Sequence, residues 1–347
     1  MTSINTNNSA MFALQTLRSI NKELDATNNR ISTGLKVNSA ADGAAYWSIS
    51  ATLKSDNGAL GAVKDAMALD KNSVDAAAGG LANVLSALDK IKSNLTAATS
   101  ANVDRKKLQT EIDSYISQIK TTADNTVMNG DNWLSTKTDA ANFNAVKGVV
   151  SSFSRNGSSV KVETTNLDTG SFILYDASAA ANSSATTVAA VTKVAAAATT
   201  TGGATVALAG GVDTKGFMDT KYAIDADGAG AGAAVNESIE DFDISGLTDS
   251  ATDVAKIQAY IKIVDATIQQ LQNGATDLGT TSTRIGANRE FVQKLIDINN
   301  SSIGALIDTD MEEESTRLKA LQTQQQLGLQ SLSIANSASQ NVLSLFR

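Results

Sequence analysis

Residues 49–95, ISATLKSDNGALGAVKDAMALDKNSVDAAAGGLANVLSALDKIKSNL, place an apolar side chain at every seventh position: Leu53, Leu60, Met67, Val74, Leu81, Leu88 and Leu95. A companion row, Ile49, Asp56, Val63, Asp70, Ala77, Val84 and Ile91, is apolar at five of its seven places. Alternating steps of three and four put both rows on one helical face, and a strict seven-residue repeat implies winding against a partner helix. Such a helix spans roughly 70 Å at 1.5 Å per residue, longer than a compact domain needs. A second run mirrors it: Ile257, Val264, Leu271, Leu278, Ile285, Val292, Asn299 and Leu306, flanked by Ile261, Ile268, Ala275, Ser282, Arg289, Ile296 and Ile303. A shorter segment with Leu108, Ile112, Tyr115 and Ile119 reads as a third helix. The fold class is mainly α: a long antiparallel helical bundle or coiled coil drawn from both chain ends, with a small β-rich insertion between them.

The residue types that are missing narrow the function. The 347 residues contain no Cys, His or Pro. Thiol nucleophiles, His general bases, disulfides and zinc sites of the usual Cys/His kinds are therefore excluded, and no proline ring interrupts a long helix. A net charge of −8 disfavours nucleic acid and anionic membrane as partners. No apolar run approaches the length of a bilayer span. The first residues, MTSINTNNSAMFALQ, lack the basic and apolar regions of a secretory signal peptide. Nothing asks for a cofactor.

The chain ends carry narrower seams. Leu17, Leu24 and Ile31 are spaced by seven, with Asn21 and Asn28 beside them; Leu318 and Leu332 form one C-terminal row, and Leu321, Ala335 and Val342 the other, interrupted by Gln325 and Gly328. The register slips between Leu306 and Met311, so the last segment is a separate helix. These seams meet other copies, or they pack on the chain's own bundle. Between the N-terminal seam and the long helix, Gly34 reads as a helix stop, and Ser39-Ala-Ala-Asp42 has the spacing of a capping box with Ser39 as N-cap. A second box, Ser250-Ala-Thr-Asp253, opens the return helix. Residues 147–245 read as a β-rich insertion at the shared tip of the two long helices, with Asn156-Gly157 as a hairpin turn signal and a loosely specified Ala/Ser/Thr/Gly stretch over 177–212.

Candidate ligand sites have plainer readings beside them. Gly228, Gly230 and Gly232 satisfy neither GxGxxG nor the Walker pattern and read as a flexible turn. Asp308, Asp310, Glu312, Glu313 and Glu314 lack the order of a calcium loop and suit a helix N-terminus. Lys90, Lys92, Arg105, Lys106 and Lys107 read as solvated helix faces, and Tyr46 and Trp47 as packing residues at a helix end.

The stretch ISTGLKVNSAADGAAYWSIS at 31–50 is similar to the signature of bacterial flagellin, written SSGLRINSAADDAAGLAIS, and IGALIDTDMEEESTRLKALQTQQQLGLQSLSIANSASQNVLSLFR resembles that family's C-terminal signature. The likeness covers about 1–145 and 247–347. It implies a structural subunit, not an enzyme, that polymerises into the helical, tubular flagellar filament and is exported unfolded without a cleaved signal; a hook–filament junction protein of the same architecture is the alternative. It implies an inner coiled-coil layer from 1–33 and 312–347, with seam residues Leu17, Leu24, Ile31, Leu318, Leu321, Leu332, Ala335 and Val342. It implies an outer layer from 34–146 and 247–311, with seam residues Leu53, Leu60, Met67, Leu81, Leu88, Leu95, Ile257, Val264, Leu271, Leu278 and Ile285. A spoke loop over 34–46, including Gly34, Asn38, Ser39 and Asp42, links the layers, and 147–246 is the variable domain facing solvent. Implied partners are further copies, other flagellins, a filament cap, junction proteins and an export chaperone. The family's innate-immune receptor site in some bacteria, Arg-x-Arg-Glu-Leu, is matched by Lys90-Ile91-Lys92-Ser93-Asn94; its Glu and Leu are missing, so that recognition is doubtful. The closing Arg347 also departs from the apolar or small residues common there. A peptidase insertion would need His-Glu-x-x-His, and a signalling receptor would need a membrane segment.

Overall fold

The structure, a computed structural model, describes residues 7–156, 159–198, 204–209, 213–226 and 234–344, with the side chains of 153, 155, 156, 159, 160 and 338–344 left out. Among the described residues there are six α-helices. They are α1 (Asn8–Thr33), α2 (Ala40–Ala98), α3 (Arg105–Asn125), α4 (Ala185–Ala198), α5 (Ala251–Ile307) and α6 (Met311–Ser344). The chain divides into two compact units, one formed by Met1–Gly61 with Gln293–Arg347 and one by Ala62–Val292.

In the Ala62–Val292 unit, α2 and α5 run antiparallel: Lys92 bridges Asp265, and further along Ser282 donates to Asp75. Met67, Val74, Leu81, Leu88 and Leu95 from α2 are buried, as are Ile257, Val264, Leu271, Leu278 and Ile285 from α5. Helix α3 closes the bundle with Ile112, Ile116 and Ile119. Burying one such aliphatic side chain contributes about 1.5–3 kcal/mol, so in a chain poor in aromatics these rows carry the core. The Ser250 box caps α5 as its spacing predicts, Ser250 Oγ accepting the Asp253 N–H at 3.1 Å; Asp253 itself accepts from Thr248. Arg105 departs from the solvated-face reading. Its guanidinium is buried and donates to the Ala98 and Leu247 carbonyls and to Asp249, tying the end of α2 to the segment that leads into α5.

Ahead of the insertion comes a short hairpin, β1 (Val127–Met128) and β2 (Asp131–Asn132), turning at Asn129 and Gly130, both with positive φ. β3 (Ser135–Thr136) pairs in parallel with β6 (Tyr175–Asp176), and between them β4 (Val146–Asn156) and β5 (Ser159–Asp168) form a long antiparallel hairpin. Asn156 pairs with Ser159, so residues 157 and 158, outside the described set, link the strands. β7 (Thr205–Leu208), β8 (Tyr222–Asp225) and β9 (Val235–Glu237) make a three-stranded antiparallel sheet. Phe172, Ile173, Leu174, Phe217, Met218 and Tyr222 are buried beneath these elements, and Phe242 stacks on Tyr260 of α5 with ring centroids 3.9 Å apart. Burial pushes the Asp219 carboxyl up to about 6, although the Asp176 and Gly216 N–H groups both donate to it.

Two expectations for the insertion fail. The Ala/Ser/Thr/Gly stretch is not merely loop: it contains α4, whose Val191, Val194 and Ala198 are buried at helical spacing. Alanine is the strongest helix former, and two valines with the alanines beside them suffice for one apolar stripe. Nor does the insertion sit only at the helix tips. Strand β4 lies along the flank of the helix pair, where Asp70 of α2 accepts the Val150 N–H at 2.8 Å and Asn288 of α5 donates to the Ser151 carbonyl at 3.0 Å. The β4–β5 register shifts between Val150 and Ser152. A bulge leaves backbone groups without ladder partners, and the two helices supply them. The glycines at 228, 230 and 232 lie outside the described residues.

Truncating Leu88, fully buried in the α2 row, to Ala is expected to cost about 2–5 kcal/mol. The measurement is the urea midpoint of the helical circular dichroism signal, and an unchanged midpoint would remove Leu88 from the core.

Candidate assembly surface

The Met1–Gly61 and Gln293–Arg347 unit brings the two ends of the chain together. Helix α1 starts at Asn7, whose Oδ1 accepts the Ala10 N–H while its Nδ2 donates to the Ala335 carbonyl of α6. Asn21 accepts from Gln325 at 2.7 Å, and Arg30 bridges Glu314 at 2.9 Å. As the first number rises the second falls, so α1 and α6 are antiparallel neighbours. Gln325 and Gly328, which interrupt the C-terminal seam, have a reason here. Gln325 is the amide partner of Asn21, and a Cβ at Gly328 would stand 3.2 Å from Leu17, so the missing side chain leaves room for that knob. A polar pair inside an apolar seam fixes register at some cost in stability. Leu17, Leu24, Ile31, Leu318, Leu332 and Ala335 are half-buried and Leu321 is buried; Val342 lies where side chains are outside the described set.

The corner between α1 and α2 is held by backbone. Gly34 stops α1 in the left-handed conformation at φ 71°, its N–H donating to the Arg30 carbonyl. The chain then pairs with the break between α5 and α6. Lys36 and Val37 donate to the Ile307 carbonyl, and Thr309 donates to that of Gly34. Val37 packs into a small cluster with Ile303 and Ile307, against Leu35, Leu53 and Leu306. Sequence reasoning missed Val37; its one signal is the alternation of Leu35, Lys36 and Val37 in an otherwise polar turn. Asn57 exchanges amide hydrogen bonds with Asn299 and Asn300, a second polar layer in this unit. Asp310 accepts the Glu312 and Glu313 N–H groups as the N-cap of α6, which accounts for the acidic cluster.

Half of the Ser39 box works as its spacing predicts. Asp42 reaches back to accept the Ser39 N–H, and also the Ser39 hydroxyl and the Asn38 N–H, but the Asp42 N–H donates to the Ser39 carbonyl and not to its Oγ. One turn later the helix breaks at Gly43 (φ 173°, ψ 87°), and the long continuous part of α2 begins beyond it. The pair holds the first turn of α2 and the knuckle that follows it.

Among the described residues, much of this unit's apolar surface is left uncovered. Met11, Phe12 and Leu14 of α1 and Leu327, Leu329 and Ile334 of α6 are exposed, as are Tyr46, Trp47 and Ile49 at the start of α2. The aromatic pair is therefore not internal packing at a helix end. Lys90 is also exposed, and Lys92 is engaged with Asp265. Among the described residues no helix is long and apolar enough to cross a membrane. Exposed apolar residues on both α1 and α6, among the described residues, are what a structural subunit with a surface for other chains presents.

Comparison with known proteins agrees. Residues 4–139 match the family model for the bacterial flagellin N-terminal helical region, and 261–346 match that for the C-terminal helical region. Over the full length of both chains, the protein is 42% identical to Flagellin C of Rhizobium meliloti (strain 1021) and 39% identical to Flagellin A of Rhizobium meliloti. It is 35% identical, again end to end, to a flagellin of Brucella melitensis biotype 1. The chain belongs to the bacterial flagellins, a structural family and not an enzyme one.

The Ser39 hydroxyl and N–H hold the Asp42 carboxyl below the usual carboxylate range, with the Asn38 N–H and Arg30 adding to them. A depressed folded-state pKa contributes stability that is present above the unfolded value and lost as pH falls through the folded one. The protection of the Asn38 and Ser39 amides, the exchange rate taken relative to the intrinsic rate at each pH, should therefore hold from neutral pH down to the carboxylate range and fall below it. In Asp42→Asn that acid step should vanish; a step of the same size in the variant would assign the titration elsewhere.

Proposed function

We propose that this chain is the subunit of a helical, tubular flagellar filament, polymerising with its own copies and with other flagellins to make the propeller of a swimming cell. The observation that carries this is the exposed apolar residues of α1 and α6, which the chain aligns but does not cover. The relatives are named flagellins, which favours the filament over a hook–filament junction role. In this reading 1–33 and 312–347 form the inner layer and 34–146 with 247–311 the outer one. The 34–46 corner is the spoke between them, and 147–246 is the outward-facing variable domain.

The resemblance to flagellins brings a route and helpers into this proposal. The chain is exported unfolded, without a cleaved signal peptide, and the filament lies outside the cell. An export chaperone covers the ends beforehand, a filament cap guides folding at the tip, and junction proteins continue the inner seam at the base. Receptor recognition at Lys90–Asn94 stays doubtful, because the Glu and Leu of the family stretch are missing there.

Deleting 318–347 is expected to leave a folded monomer, seen by circular dichroism, that forms no filaments by negative-stain electron microscopy. Filaments from the truncated chain would overturn the inner-seam assignment. Leu24→Asp places an unpaired charge in that seam, at a cost of several kcal/mol if it is fully desolvated on assembly (roughly, from the burial penalty of an unpaired charge). Sedimentation should find the variant in the supernatant under conditions that pellet the parent protein.

A further inference from the structure

The Ala62–Val292 unit holds a cavity of about 300 Å³, framed by β2, β3, the chain entering β4 and the chain leaving β5. Its frame is set by bonds that the fold uses in any case. Asn132 Oδ1 accepts the Leu134 and Ser135 N–H groups, both at 2.9 Å, while its Nδ2 donates to the Ala123 and Asp124 carbonyls. Thr169 donates through both N–H and hydroxyl to the Ala145 carbonyl, and the Phe143 N–H donates to that of Ala140. Other lining groups have no task inside the chain. The side chains of Ser135, Thr136 and Asn142 line the cavity and make no hydrogen bond among the described residues. Trp133 and Phe143 line it as well and are only half-buried. Of the two lysines, Lys147 is bridged to Asp131 at 3.0 Å, whereas Lys137 is 59% exposed and stands 3.9 Å from Asp139, beyond hydrogen-bond length.

We propose that this cavity binds one acidic sugar unit, a hexuronate, with the flat side of its ring on Trp133 and Phe143, its hydroxyls on Ser135, Thr136 and Asn142, and its carboxylate on Lys137. The proposal does not rest on the filament reading, and none of these residues belongs to α1 or α6. Size and chemistry both favour this occupant. The volume lies at the small end of ligand clefts, which suits one sugar ring. Hydroxyls and a carboxamide both donate and accept, as a ring of ligand hydroxyls requires, and aromatic faces take the apolar side of a ring whose edge is polar. One ammonium with its charge to spare answers one carboxylate. A phosphate ester would need more free cations than Lys137 alone. An amino acid would need a free carboxylate for its ammonium, and Asp131 is spent on Lys147.

The full-length chain serves for the test, with Trp47→Phe leaving Trp133 as its one tryptophan. Sodium glucuronate should change Trp133 emission with half-saturation at about 1–10 mM, the range for a ligand of this size. Glucose should bind about tenfold more weakly, for want of the charge-assisted bond, and added salt should narrow that gap. Lys137→Met should lower glucuronate affinity to that of glucose, and Trp133→Phe should weaken both sugars alike. Saturation transfer from protein to sugar protons reads the same affinities in the parent chain and in Trp133→Phe, so the outcome does not depend on Trp47→Phe folding. No transfer to glucuronate and no change in Trp133 emission at about 50 mM, well above that range, would overturn the proposal. Glucose binding as tightly as glucuronate, or Lys137→Met binding glucuronate as the parent does, would overturn the acidic-sugar assignment.

Discussion

Everything in this chain depends on helices far apart in sequence finding one antiparallel register. With no disulfide, no proline-stiffened turn and few aromatic rings, the packing is done by aliphatic rows of α2 and α5 in one unit and by α1 with α6 in the other. Apolar rows alone tolerate sliding by a heptad, since one leucine resembles the next. Particular polar pairs remove that freedom: Lys92 with Asp265, Ser282 with Asp75, Asn57 with Asn299 and Asn300, and Asn21 with Gln325. Each adds modest energy. What they add is register: a slip of the α1–α6 seam would set Asn21 or Gln325 against a leucine, and a slip of α2 on α5 would part the Lys92–Asp265 and Ser282–Asp75 pairs.

The long helices were legible because burial in a seam demands a period, and a period survives in the sequence. The Leu53-to-Leu95 row needed no structure to be seen, and neither did the end of α1 at Gly34. The knuckle at Ser39 and Asp42 was half legible. Spacing located the pair, but spacing does not show that the Asp42 N–H turns to the Ser39 carbonyl, or that the helix breaks at Gly43. Helix α4 was obscured because low-complexity composition and strong alanine helix propensity are the same letters read for different purposes. Tyr46 and Trp47 were misread for another reason: whether a ring is covered inside a subunit or between subunits leaves no local mark.

Polar residues at seam positions carried more information than the periodicity suggested. Asp70 interrupts the companion row of α2, and in a helix pair standing alone it would only weaken the seam. Its oxygen instead faces the amide at the β4 irregularity, with Asn288 of α5 answering the neighbouring carbonyl. Gln325 and Gly328 follow the same logic at the other seam. A departure from a heptad is thus a place to look for a specific neighbour before it is counted as noise.

The way β4 is fastened has one more consequence. Asp70 and Asn288 grip main-chain atoms of residues 150 and 151, and main-chain atoms are identical whatever side chains the strand carries. The mount is thus indifferent to what is mounted. Mutation can rewrite the outer strands without loosening these two bonds, provided that the irregular spot in the strand survives. A lineage could in this way exchange its displayed surface repeatedly while the shaft beneath keeps its fittings unchanged.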